Sequence, residues 1–252
     1  MAPDQLQAWR LAEAASVKWP YFGIALLLAA VAFAIARFRF PVLEIERRDE
    51  DSSASGSVWR YRNLAFGAVA IFVYVGAEVS IGSFLVSYFM RPEIAGLTAP
   101  VAASYVSFYW GGAMLGRFAG SALLRRFRAG PAVGTAAIMA ALLLLVSIFS
   151  TGRLAMGAIL TVGLCNSIMF PSIFTLGIAG LGRLTSRGSG VLIASIVGGA
   201  VIPLFEGALA DRIGLQHAFL LPAVCYLYIV FYGFAGSRPA VWNHTVAADA
   251  PR

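Results

Sequence analysis

Glu78 sits in the stretch YVGAEVSIGSF and is the only charged residue among the twenty-seven of Leu64–Met90. A carboxylate at the centre of an apolar segment costs about 2.5–3.5 kcal/mol on insertion scales, so its presence calls for a chemical purpose. Asn166 lies similarly deep in a second apolar run, Leu154–Leu181. At about 1.5 Å per residue, Glu78 falls about 21 Å and Asn166 about 18 Å into their runs. Both depths are near the middle of a hydrocarbon core about 30 Å thick. A carboxylate acceptor and a primary amide facing one cavity suit a hydroxyl-rich ligand. The competing reading is a plain helix–helix hydrogen bond, which contributes about 0.6 kcal/mol on average in membranes.

Aromatic residues flank both groups. Tyr74 lies one turn before Glu78 on the same face, and Phe170 one turn after Asn166. Tyr105 and Trp110 are further candidates for stacking on a sugar ring. The chain has eighteen Phe, nine Tyr and five Trp, so most of its aromatics must serve the core or the lipid face. Arg117 is seven residues short of the end of its apolar run and can snorkel to the surface. Glu206 is four residues from the far end of another run. The two sit at opposite depths and are not expected to pair. With Asp211 and Arg212 of the tight turn GALADRIG, they read as gate or interface residues rather than ligands.

The elements that position these groups follow from composition. Of 252 residues, 60% are hydrophobic and 12% charged, and mean hydropathy is +0.80. Soluble domains carry about 25% charged residues, so this chain is a membrane protein. Seven stretches approach the roughly 20 apolar residues that a crossing needs: Trp19–Ala36, Leu64–Met90, Ala99–Leu124, Gly130–Ser150, Leu154–Leu181, Gly188–Ala210 and Ala218–Ala235. Pro171 and Pro203 fall inside spans and predict kinks. Residues 1–40 then form an N-terminal segment with the first span, and residues 41–63 a charged, Ser/Gly-rich cytoplasmic linker. Residues 64–236 form a six-helix unit and residues 237–252 a cytoplasmic tail.

Arginine placement sets the sides. Thirteen arginines (37, 39, 47, 48, 60, 62, 125, 126, 128, 183, 187, 238 and 252) fall on one face, against Arg10, Lys18, Arg91, Arg153 and Arg212 on the other. That predicts a cytoplasmic C-terminus and an exterior N-terminus. Topology thereby accounts for the net charge of +7, and no nucleic-acid partner is implied. A signal peptide places its positive charges before the apolar run, whereas here six arginines follow it, so the first span reads as a retained helix.

WGGAMLGRFAGSALLRRF (110–127) aligns with VGGAVIPLFEGALADRIG (197–214) at an offset of 87 positions, with six of eighteen residues identical. The same offset sets Gly76, Ser80 and Ile81 over Gly163, Ser167 and Ile168, and it maps Glu78 onto the neighbour of Asn166. A unit of three helices repeated once must enter the bilayer from opposite sides. The expected fold is therefore all-α: seven transmembrane helices, one plus a 3+3 inverted repeat, the arrangement of secondary transporters.

Other chemistries lack their residues. A retinal Schiff base needs a lysine in the last helix, and the only lysine is Lys18. A buried Ser–His pair or a His/Glu metal cluster is absent, because His217 and His244 fall in a loop and in the tail. Cys165 and Cys225 lie in apolar runs and read as small buried thiols. No enzyme and no metal or other cofactor is expected.

The stretches YVGAEVSIGSFLVSYF (74–89), YWGGAMLGRFAGSALLRRF (109–127), NSIMFPSIFTLGIAGLG (166–182), GSGVLIASIVGGAVIPL (188–204) and GALADRIGLQHAFLLPAVCYLY (207–228) together resemble the fucose permease branch of the major facilitator superfamily, in particular its glucose/galactose transporters. The resemblance runs from about residue 12 to 237. It implies helices six to twelve of a twelve-helix sugar:proton symporter, half of a major facilitator fold, in a bacterial inner membrane. It also implies a coupling proton, a hexose of the glucose, galactose or fucose type as substrate, and Glu78 as a sugar-contacting residue. In this family the carboxylates of proton coupling lie in the first half, which the chain lacks. A truncated reading frame or pairing with a separate N-terminal half is the corresponding expectation, and a non-transporting sugar sensor or assembly subunit is the alternative.

Overall fold

The computed structural model describes residues 18–37 and 57–239. Most of the predicted linker and tail therefore lies outside the described residues. The chain divides into two units, Met1–Ser52 and Ser53–Arg252. In the first, helix α1 (Lys18–Arg37) contains the apolar segment Tyr21–Phe33. Its last residue, Arg37, lies 4.9 Å over the Phe33 ring, where a cation also favours the negative end of the helix dipole.

The second unit is a bundle of six helices: α2 (Arg62–Phe89), α3 (Ala99–Leu124), α4 (Ala129–Phe149), α5 (Gly152–Ile178), α6 (Gly182–Ile213) and α7 (Leu215–Gly236). Short connections make successive helices antiparallel. Among the described residues, α2 and α4–α7 are long and apolar enough to cross a membrane. Helix α3 has the length, 26 residues, but its apolarity is diluted by Ser104, Ser107, Tyr105, Tyr109, Trp110 and Arg117. All seven predicted spans are helical, with ends displaced by a few residues.

The inverted repeat is visible in the helix bounds. Moving residues 99–124 on by 87 positions gives 186–211, inside α6, and moving 129–149 gives 216–236, inside α7. It is visible again in the packing. Helix α2 packs on α6 and α7, whereas α5 packs on α3 and α4. Exchanging the triplets α2–α4 and α5–α7 maps each of these contacts onto another.

Glycines allow the closest of these approaches. A Cβ at Gly198 would overlap the Phe72 carbonyl, and one at Gly163 would overlap the Tyr109 carbonyl. Backbone-to-backbone contact of this kind replaces the hydrophobic drive that is weak between helices in lipid. Two amides tie helix ends together. Asn63 Nδ2 shares its two hydrogens among the carbonyls of Leu176, Gly177 and Ala179 at 2.9–3.1 Å, at the end of α5 where helix carbonyls run short of backbone donors. Gln216 Nε2 lies likewise 2.9–3.2 Å from the carbonyls of Ser147, Ile148 and Ser150 at the end of α4, the Ser147 carbonyl accepting also from the Tyr88 hydroxyl.

The predicted kinks fall beside their prolines rather than on them. Helix α5 is interrupted at Ser167–Ile168, between Gly152–Asn166 and Met169–Ile178. Pro171 offers no N–H to the Ser167 carbonyl four residues earlier, so the interruption sits one turn upstream of the ring. In α6 a tight 3₁₀ turn at Ser195–Val197 precedes Gly198–Ile213, which carries Pro203 without a break.

Candidate functional site

The interruption in α5 leaves Asn166 as the last residue of the helix's first stretch, and four helices converge there. The Asn166 side chain is fully buried. Its Nδ2 donates to the Tyr109 hydroxyl of α3 at 2.9 Å, and its Oδ1 accepts from the Tyr226 hydroxyl of α7 at 2.7 Å. Its carbonyl accepts from the Tyr74 hydroxyl of α2 at 3.0 Å. The same Tyr74 hydroxyl donates to Glu78 Oε1 at 2.8 Å. One hydroxyl proton thus faces two acceptors, and it serves one fully at a time. Tyr109 closes the ring with a long 3.4 Å bond to the Glu78 carbonyl.

Glu78 itself is half-buried. It lies sixteen residues into α2, about 24 Å along it, near the middle of the helix. Oε1 is held by Tyr74, and Oε2 makes no hydrogen bond among the described residues. A carboxylate so placed needs water or a polar ligand at its second oxygen, because lipid cannot solvate it.

Two of the four expected aromatics bracket Glu78 along α2. The Phe170 ring is 6.4 Å from the Tyr74 ring, one turn to one side. Trp110 lies against Gly82, one turn to the other side, where a Cβ would come within 3.0 Å of the indole. Trp110 is 44% exposed, and its ring is edge-on to Tyr109 at 5.3 Å. Glycine at 82 is what lets the indole lie flush with α2. Tyr105 is elsewhere: it packs on Phe89 and Phe108, at 6.2 and 5.6 Å, near the far end of α2.

The expected gate residues remain apart. Arg117, Asp211 and Arg212 are exposed on their helices, and the ion pair found among the described residues is Arg91–Glu93, at 3.5 Å in the loop after α2. Glu206 is fully buried against α2, and among the described residues neither its oxygens nor Ser80 Oγ finds a hydrogen-bond partner. Tyr109 and Tyr226, which complete the Asn166 network, are not foreseen in the sequence. Their nearest signals are adjacency to Trp110 and to Cys225, neither of which distinguishes a tyrosine that bonds from one that merely packs.

Proteins similar to this chain are membrane transporters. Over 232 residues it is 50% identical to the glucose/galactose transporter of Brucella abortus, a match spanning 90% of this chain and 55% of that protein. It is 39% identical over 234 residues to a putative glucose/galactose transporter of Helicobacter pylori, covering 91% of this chain and 56% of the relative. The L-fucose-proton symporter of Escherichia coli is 32% identical over 246 residues, covering 95% and 56%. A crystal structure of the transporter FucP in its outward conformation superposes with a TM-score of 0.77, covering 92% of this chain and 57% of that one at 32% identity. No protein-family profile matches. The chain spans about half the length of the curated relatives it matches.

A six-helix bundle built as an inverted repeat, with a carboxylate at mid-depth, is the half-unit of a major facilitator transporter, a multi-pass membrane protein. The chain belongs to the fucose permease branch of that superfamily and corresponds to its C-terminal half.

Proposed function

We propose that this chain is the sugar-binding C-terminal half of a hexose:proton symporter, and that Glu78 is its principal sugar contact. The observation that carries the reading is the half-buried Glu78 carboxylate, with Oε2 free, lying between Phe170 and Trp110 on one face of α2. A carboxylate oxygen between two apolar ring faces matches a pyranose, whose hydroxyls lie around its rim and whose C–H groups line its faces. Tyr74 orients the carboxylate. Asn166, committed to three tyrosines and fully buried, holds the site's helices in register. The names of the relatives, two glucose/galactose transporters and a fucose-proton symporter, support an aldohexose or its deoxy form and a coupled proton.

Alternating access moves one half of such a transporter against the other around a central site. The second half would come from a further six helices, whether in the same polypeptide or in a separate one. Arginine distribution supports an inner-membrane orientation with the C-terminus of the chain in the cytoplasm, and the exposure of Arg117, Asp211 and Arg212 supports reading them as gate or interface residues toward the opposing half.

The test is equilibrium binding of radiolabelled glucose, galactose and fucose to the chain in nanodiscs, alongside proteoliposome uptake with and without a six-helix partner half. Saturable binding that Glu78→Gln weakens about tenfold or more, with pH-gradient-driven uptake only when both halves are present, is the expected result. Unaltered binding in Glu78→Ala would remove the carboxylate from the site.

A further inference from the structure

The end of the bundle bearing Arg125, Arg126 and Arg128 contains two adjoining cavities that the sugar site does not use. The larger, about 570 Å³, is lined by Arg126 and Arg128 at its mouth and by Phe127, Pro131, Thr135 and Ile168 along its wall. The smaller, about 240 Å³, shares Arg128 and Pro131 and adds Arg238 and Phe234. Arg126 and Arg128 thus line the larger cavity and Arg128 and Arg238 the smaller, and no acidic side chain lines either cavity among the described residues.

Depth decides what fits. Arg126 and Arg128 lie in the loop between α3 and α4, level with the helix ends and so with the membrane surface. Thr135 is six residues inside α4, about 9 Å further in, and Ile168 is at the interruption of α5. The cavity thus runs from a cationic mouth at the interface to an apolar wall at hydrocarbon depth. A free inorganic anion would use only the mouth. A molecule with a phosphate at one end and an alkyl chain at the other satisfies both, and basic pockets between helices at the membrane surface suit anionic lipid headgroups.

We propose that these cavities form a binding site for an anionic phospholipid. The headgroup phosphate takes bidentate hydrogen bonds from Arg126 and Arg128, Arg238 flanks it, and an acyl chain lies along Phe127, Pro131 and Ile168. The site is separate from Glu78 and independent of the reading of the chain as a sugar carrier.

The experiment compares phosphatidylglycerol and phosphatidylcholine of identical acyl chains added to the detergent-purified chain, with bound lipid counted by native mass spectrometry and melting followed in parallel. Phosphatidylglycerol is expected to bind about tenfold tighter or more and to raise the melting temperature. The double variant Arg126→Ala/Arg128→Ala should fall to the phosphatidylcholine level. Arg126→Lys/Arg128→Lys should keep part of the preference, and Arg153→Ala, at the opposite end of the bundle, should keep all of it. Should the double alanine variant fail to fold, Arg126→Gln alone is expected to weaken phosphatidylglycerol binding. The proposal is overturned if arginine removal leaves phosphatidylglycerol binding intact or if both lipids bind alike. It is overturned as well if millimolar inorganic phosphate displaces the lipid, which would mark a small-anion site.

Discussion

The Tyr226 hydroxyl donates to Asn166 Oδ1 at 2.7 Å, so the last helix of the bundle holds the joint of the fifth. Both groups are fully buried, and neither can turn to water if the other is removed. Tyr226→Phe leaves Asn166 Oδ1 unpartnered and should cost about 1–3 kcal/mol. Asn166→Leu should cost more, since Tyr109, Tyr226 and the whole α5 joint lose their partner. Thermal unfolding of the two single variants and the double variant checks this. Strictly additive losses would mean that the pair is not coupled.

Glu78→Gln keeps the shape of the side chain and a hydrogen-bonding oxygen for Tyr74, but it removes the charge-assisted acceptor. Hexose binding should weaken about tenfold or more, which is about 1.4 kcal/mol, with little change in melting temperature. Isothermal titration beside a melting curve reads both quantities. A Gln variant that binds as the parent but melts much lower would turn Glu78 into a purely structural residue.

Glu206 offers the opposite case. Its two oxygens and Ser80 Oγ are buried at the α2–α6 contact without hydrogen-bond partners among the described residues, and an unpartnered buried carboxyl is costly. Glu206→Leu should stabilise the bundle by about 1–3 kcal/mol. A lower melting temperature for the Leu variant would contradict this and indicate that the carboxyl is satisfied by water or a bound ion.

Glycine replacements should divide by position. Gly198→Ala pushes a methyl group into the Phe72 carbonyl and should cost about 1–3 kcal/mol. Gly190→Ala meets open space and should instead stabilise its helix by up to about 1 kcal/mol. Denaturation midpoints of the two variants, measured in one detergent, decide the matter. Equal effects would argue against the close α2–α6 crossing.

Outside the membrane-spanning segments, Glu93 gains from its own backbone amide and from Arg91, which hold its carboxyl below the usual carboxylate range. A carboxyl depressed in the folded chain adds stability above its unfolded pKa, and that contribution disappears as pH falls through the folded value. Arg91→Ala should therefore raise the Glu93 titration midpoint, as read by carboxyl-carbon NMR.

Much of the architecture is written in local pattern. Apolar run length marks the helices, and the offset of 87 positions marks the repeat, because both depend only on residue type along the chain. The depth of Glu78 and its turn-spaced partner Tyr74 follow in the same way from helical geometry. What the pattern does not carry is which face of each helix meets which neighbour. Tyr105, Tyr109 and Trp110 fall within six residues, and only packing separates Tyr105 at the far end of α2 from Tyr109 beside Asn166. Asn166 itself reads as a ligand or as a helix tie, and the choice depends on three tyrosines from three other helices. Glu206 shows the same limit. Its distance from a helix end suggests an interface role, yet its carboxyl is enclosed against Ser80, a neighbour more than a hundred residues away in the chain.

The interruption at Ser167–Ile168 gives α5 two segments with different allegiances. The first, Gly152–Asn166, packs on α3 and α4, and the second, Met169–Ile178, packs chiefly on α2. A pivot at that point would move Met169–Ile178 with the part of α2 it packs on against α3 and α4, and its fulcrum would be the asparagine that three tyrosines grip. One end of the bundle would then bend from its centre, with no need for the six helices to tilt as a block.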